Sequence, residues 1–202
     1  MWRESVWLLA EARRAKVPPD AIMCTATVSA CEKGTQWKAA LAVLAEVSHD
    51  AARKVVPAFN AAITACAKAR HWEQALTLLV ALRLHGLAPG TVSYNAAISA
   101  CEKSHTWPHA MGLLAEMCVV RVRPNIVTYS TSISACGQGM QWERALGLLE
   151  AMQRQCVLPE VVACSAAVSA CERGQQWERA LATLRKMLGL GPEPNVITFN
   201  AA

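Results

Sequence analysis

Aromatic side chains make up only 5% of the 202 residues, and their distribution is uneven: seven Trp against two Tyr and two Phe. A chain that is 53% hydrophobic with so few rings must pack through Ala, Leu, Val and Ile, as all-helical proteins with close helix contacts do. Long apolar runs are missing too. Charge, Gly or Pro breaks each one well short of the roughly 18 residues that a membrane-spanning helix needs. CxxC pairs and His clusters are absent, and of nine Cys, an odd number, five stand at evenly spaced positions. One Cys per interval cannot converge on a metal, so zinc is set aside and the thiols read as small buried side chains in a reducing compartment. No carboxylate cluster with metal spacing and no pairing of nucleophile with base is visible. The sequence therefore reads as a non-enzyme, with no cofactor and no small-molecule substrate expected.

What the chain does have is a repeat. Trp37, Trp72, Trp107, Trp142 and Trp177 stand 35 residues apart, as do Cys31, Cys66, Cys101, Cys136 and Cys171, and again Ala40, Ala75, Ala110, Ala145 and Ala180. A period of about 20 to 50 residues means a stacked array in which no unit buries its apolar face alone. Five complete units run 21–55, 56–90, 91–125, 126–160 and 161–195. Residues 1–20 read as the second helix of a truncated unit, because Trp2 stands in register with Trp37; Glu4 and Glu11 argue against a targeting peptide there. Residues 196–202 read as the start of a further unit. Neither end shows the polar capping element that arrays need, so a fragment of a longer protein, or an incomplete gene model, is expected.

Unit 126–160 shows how one repeat folds. Asn125 or Thr128 is the candidate N-cap of a first helix whose Tyr129, Ile133 and Cys136 share one side. Gly139 is expected to end that helix in the left-handed conformation. Trp142, Ala145, Leu146, Leu148, Leu149 and Met152 then outline a second helix with a wide apolar face. Pro108, directly after Trp107, fixes the boundary, because Pro belongs in a first turn and costs roughly 3 kcal/mol inside a helix. Small residues recur where helices would touch, as at Ala61, Ala62, Ala65 and Ala75, and at Ala96, Ala97, Ala100 and Ala110. The net charge of +5 permits a polyanionic partner without identifying one.

The 35-residue period, the Asn-Val-Ile-Thr-Phe-Asn opening at 195–200, the Ala-Leu-x-Leu-Leu-x-x-Met segment at 145–152 and the Pro closing most units together resemble the pentatricopeptide repeat family. Tetratricopeptide repeats, the nearest rival, have a 34-residue period and carry their Trp in the first helix. The resemblance implies an all-α right-handed superhelix, an α-solenoid of helix-turn-helix hairpins. It also implies binding of single-stranded RNA in a concave groove, one nucleotide per repeat, in a mitochondrion or chloroplast, with other RNA-processing proteins as further partners and no membrane. Two other readings remain open: a scaffold holding a peptide in the groove, and the repeat arm of an organellar nuclease.

By that resemblance the fifth and last residues of each unit face the base: Thr25 with Val55, Asn60 with Gly90, Asn95 with Asn125, Ser130 with Glu160, and Ser165 with Asn195. Asp20 and Asn200 are the matching positions of the truncated end units. The pairs imply the order 5′-purine-pyrimidine-C-purine-A-3′. Ile22, Val92, Val127 and Val162 take the family's base-clamping position, and Pro57 replaces the clamp in the second unit. Lys33, Lys68, Lys103 and Arg173 are the implied phosphate contacts, with Gln138 in the fourth unit. Val55, Gly90 and Glu160 depart from the reading pattern. From the residues alone, the fifth position stays short and polar while varying in kind, which suits either hydrogen bonding to a ligand or a helix first turn. The apolar second position suits either a base face or the core. Cations near a helix C-terminus are favoured whatever the function.

Overall fold

The computed structural model describes residues 2–15, 20–45 and 56–190. Among them are eleven helices and no strand: α1 Trp2–Arg14, α2 Ala21–Lys33, α3 Trp37–Ala45, α4 Val56–Lys68, α5 Trp72–Leu84, α6 Thr91–Lys103, α7 Trp107–Val119, α8 Ile126–Gln138, α9 Trp142–Arg154, α10 Val161–Arg173 and α11 Trp177–Leu190. Even-numbered helices are the first of their repeats and odd-numbered ones the second. Each repeat Trp opens its second helix, and Pro108 occupies the first turn of α7. None of the described helices is long and apolar enough to cross a membrane.

Two compact units divide the chain, Met1–Ala100 and Cys101–Ala202, with the division falling inside α6. In the first, α2 packs on α1, α3 and α4, and α4 packs on α5. In the second, α8 packs on α7, α9 and α10, and α10 packs on α11. Both are antiparallel hairpins laid one on the next, which is how a solenoid buries apolar surface. Leu114, Tyr129, Ile133, Ala145, Met152 and Ala167 therefore join one core across successive hairpins of the second unit. The five register cysteines and the five register alanines are all buried. Burial in this apolar layer pushes the thiols of Cys66, Cys101 and Cys136 up to about 11, because it penalises the thiolate.

The turn between first and second helix corrects one expectation. Gly34, Gly139 and Gly174 sit at φ −85°, −85° and −82°, which any residue adopts. The left-handed residue is the next one: Thr35, Arg70, His105, Met140 and Gln175, with φ between 54° and 61°. There the turn closes with a six-to-one bond, as from Gln141 N–H to the Cys136 carbonyl, beside Met140 N–H to the Gly137 carbonyl. In three of the five turns a glycine stands one step earlier, where the demand is for space. A Cβ on Gly34 would lie 2.6 Å from Cδ1 of Trp2, and on Gly139 or Gly174 still closer to the ring of Trp107 or Trp142. The Trp that opens one second helix is thus received by the turn of the following repeat.

Candidate nucleic-acid interface

Each first helix carries its candidate residues on one stripe. Its second and fifth residues are three apart, and the basic residue lies eleven beyond the second; at 3.6 residues per turn these fall on one side, the last about 16 Å along the axis. Ile22, Val92, Val127 and Val162 are 77%, 65%, 54% and 64% exposed, and Pro57 is exposed as well. These side chains are not core. An apolar residue thus projects from the start of every first helix, at the same place in each repeat.

The fifth residues are recessed beside them: Thr25, Asn60, Asn95 and Ser130 are half-buried and Ser165 is buried. Thr25, Ser130 and Ser165 donate their hydroxyls to the carbonyls of Ala21, Ile126 and Val161, one turn back, at 2.7, 2.8 and 2.6 Å. The proton is spent on the helix, but a hydroxyl oxygen keeps acceptor capacity. Asn60 is held differently, its Oδ1 accepting from Ser93 Oγ at 2.6 Å.

Among the described residues, Asp20, Asn125 and Glu160 stand at the N-caps of the first helices that follow them, and Gly90 directly precedes α6. Asn125 Oδ1 accepts from Thr128 N–H at 3.0 Å and from Thr128 Oγ1 at 2.9 Å, while Asn125 N–H donates to Thr128 Oγ1, completing a capping box. Asp20 accepts from Met23 N–H at 2.7 Å in the same way. Glu160 occupies the N-cap of α10 without a side-chain cap bond, and Gly90 supplies no side chain. Val55, Asn195 and Asn200 lie outside the described residues.

Of the basic residues, Lys33, Lys68 and Arg173 are exposed and Lys103 half-buried. Lys68 Nζ makes an ion pair with Glu32 Oε1 of the preceding first helix at 2.9 Å. One position before Lys33 and Lys103, Glu32 and Glu102 bind across to the following first helix; Ser134 Oγ donates to Glu102 Oε1 at 2.7 Å. Sequence reasoning missed these carboxylates and Ser93. Arg144 is exposed, and its guanidinium lies 4.7 Å from the centroid of the Trp107 ring.

Exposed apolar groups beside recessed polar ones, with cations further along, suit a ligand with flat faces, polar edges and anionic links. The described residues include no group of three metal-binding side chains. A groove of about 610 Å³ lies elsewhere, between α9 and α11, lined by Leu146, Leu149, Cys156 and Lys186 among others, and shares no residue with the stripe. An extended strand lies along a surface and requires no such cavity.

Known proteins share the repeat and the fold. The pentatricopeptide repeat domain model matches residues 55–104 and 147–202, the PPR repeat family model residues 89–138, and a PPR repeat model residues 127–157. No curated protein sequence shows a significant match. Among solved structures, the pentatricopeptide repeat protein PPR10 in complex with an 18-nucleotide psaJ RNA element is 27% identical with a TM-score of 0.80, covering 99% of this chain and 29% of its own. The PPR10 structure described as from maize is 26% identical at a TM-score of 0.72, covering 99% and 28%. The PPR domain of Arabidopsis thaliana protein-only RNase P 1, in complex with tRNA, shares the fold at 14% identity and a TM-score of 0.71, covering 91% and 96%. The chain therefore spans under a third of the length of the PPR10 chains that it matches.

Proposed function

The chain belongs to the pentatricopeptide repeat family, and from that premise we propose that it binds single-stranded RNA along its first helices, about one nucleotide per repeat. The observation that carries this reading is the row of exposed apolar second residues beside recessed polar fifth residues. Apolar side chains offer sequence-tolerant contact to base faces, and the polar ones meet Watson–Crick edges, which a single strand leaves free. Lys33, Lys103 and Arg173 are the phosphate contacts of this reading; Lys68 is shared with Glu32. The likeness to PPR10 bound to RNA supports it. A setting in organelle RNA processing, in mitochondrion or chloroplast, belongs to the same proposal and rests on the family alone; imaging the tagged full-length protein tests it.

The stripe is tested by Val127→Asp with Val162→Asp. Both side chains are more than half exposed, so the fold stands while a carboxylate replaces the apolar contact. Losing two apolar contacts to base faces and setting two carboxylates against a polyanion lowers affinity for single-stranded RNA at least about tenfold, with an unchanged circular dichroism spectrum. Unchanged affinity would remove the stripe as the binding face.

A further inference from the structure

The buried hydroxyl of Ser93 is fully enclosed, so it cannot turn to water, and it donates to Oδ1 of Asn60 at 2.6 Å. Oδ1 and Nδ2 are opposite branches of one planar amide. Anchoring Oδ1 on Ser93 therefore turns the Nδ2 hydrogens the other way, on a half-buried side chain three residues beyond exposed Pro57. The unit's last residue is Gly90, which offers no side chain, so the orientation of Asn60 alone decides what side-chain hydrogen bonding this repeat presents.

The sequence carries the same pairing. Fifth residues and the third residues of the following unit run Thr25 with Ala58, Asn60 with Ser93, Asn95 with Thr128 and Ser130 with Ala163. Each fifth-position Asn is matched by a hydroxyl residue in the following unit, and fifth-position Thr25 and Ser130 by Ala; Ser165 with Thr198, a residue outside the described part, departs from the rule. The chemistry explains the difference. Thr25 and Ser130 satisfy their own hydroxyls on the carbonyl one turn back, whereas Asn60 is held by Ser93 of the next first helix; the Thr128 hydroxyl donates to Asn125 Oδ1.

We infer that Ser93 is a positioning residue that sets base choice in the second repeat by locking the Asn60 amide with its N–H groups outward. This rests on the RNA reading above. A donor edge meets an acceptor such as the O2 carbonyl that both pyrimidines carry, and it is mismatched to a base edge that itself donates. Without Ser93 the amide turns over freely and discrimination falls.

The test uses the full chain and four labelled single-stranded RNAs, 5′-A-N-C-A-A-3′ with each base at N, titrated by fluorescence anisotropy. Wild type prefers pyrimidines at N. Ser93→Ala reduces that preference roughly tenfold, the worth of one oriented hydrogen bond, while mean affinity over the four RNAs changes little. Ser93→Thr retains the preference, and Asn60→Ser with Ser93→Ala shifts it to purines. If wild type discriminates at N and Ser93→Ala discriminates equally, Ser93 positions nothing. A wild type that binds all four RNAs alike at N overturns the inference as well. Failure of wild type to bind any single strand overturns the RNA reading itself and this role with it.

Discussion

At the scale of single residues, two glycines that look the same in sequence have different uses. Gly139 is held open by Trp107 and not by its backbone angles, so Gly139→Ala costs about 1–3 kcal/mol through overpacking. Gly147, inside α9 with nothing within 4 Å of a built Cβ, behaves oppositely, and Gly147→Ala adds about 0.5–1 kcal/mol. Urea midpoints of the two variants check the pair of signs. The sequence itself distinguishes the two uses. Ala69 and Ser104 hold the equivalent positions in two repeats, and a required left-handed angle would have called for Gly in all of them. The thiols give a pH dependence. Cys66, Cys101 and Cys136 release their protons near 11 in the native state but near the ordinary 9.0 when unfolded. Between those values the native state binds more protons, so stability falls as pH rises from about 9 to 11 and is unaffected by these groups below 9. Melting temperatures across that range should decline, and replacing Cys136 with Ala should flatten the decline; a flat profile in the parent protein would contradict the assignment.

At the scale of elements, the helix N-termini carry two roles in one residue. Asn125 caps α8 through Oδ1, and the same residue is the implied reader of the third repeat. Asn125→Ala loses the capping box, about 1 kcal/mol of stability, and weakens RNA binding with it. Asn125→Asp keeps an equally good cap while exchanging an amide for an acceptor-only carboxylate, so stability holds and the preferred base moves from C toward U. An RNA selection beside a thermal melt separates the two roles; lost stability with unmoved base choice would make Asn125 a cap alone. Glu160→Asn supplies the side-chain cap that α10 lacks and removes a carboxylate from the binding stripe, so both stability and RNA affinity rise. Elements were legible because the period is strict: five Trp, five Cys and five Ala place every hairpin, and Pro108 fixes the boundary within one residue. Contacts between neighbouring first helices were not, because Glu32 with Lys68 and Asn60 with Ser93 join residues more than thirty positions apart whose pairing no local periodicity encodes.

At the scale of the whole molecule, the stripe is repeated but its repeats are unequal. On the proposed RNA reading, Gly90 and Glu160 weaken two of the base-facing pairs, and Lys68 is already ion-paired with Glu32. That reading predicts micromolar or weaker affinity for a single strand, with a counterion-release slope set by the few cations that would reach phosphates. A net charge of +5 alone would attract any polyanion, duplex included, so charge cannot discriminate between an electrostatic surface and one that uses base faces and edges. The direct measurement is a salt titration of the full chain against one labelled RNA, offered first as a single strand and then annealed to its complement. The account predicts tighter binding of the single strand at every salt concentration, with the advantage persisting as salt rises because stacking and edge contacts are not screened. Equal affinity for strand and duplex, or an advantage that vanishes with salt, would contradict it.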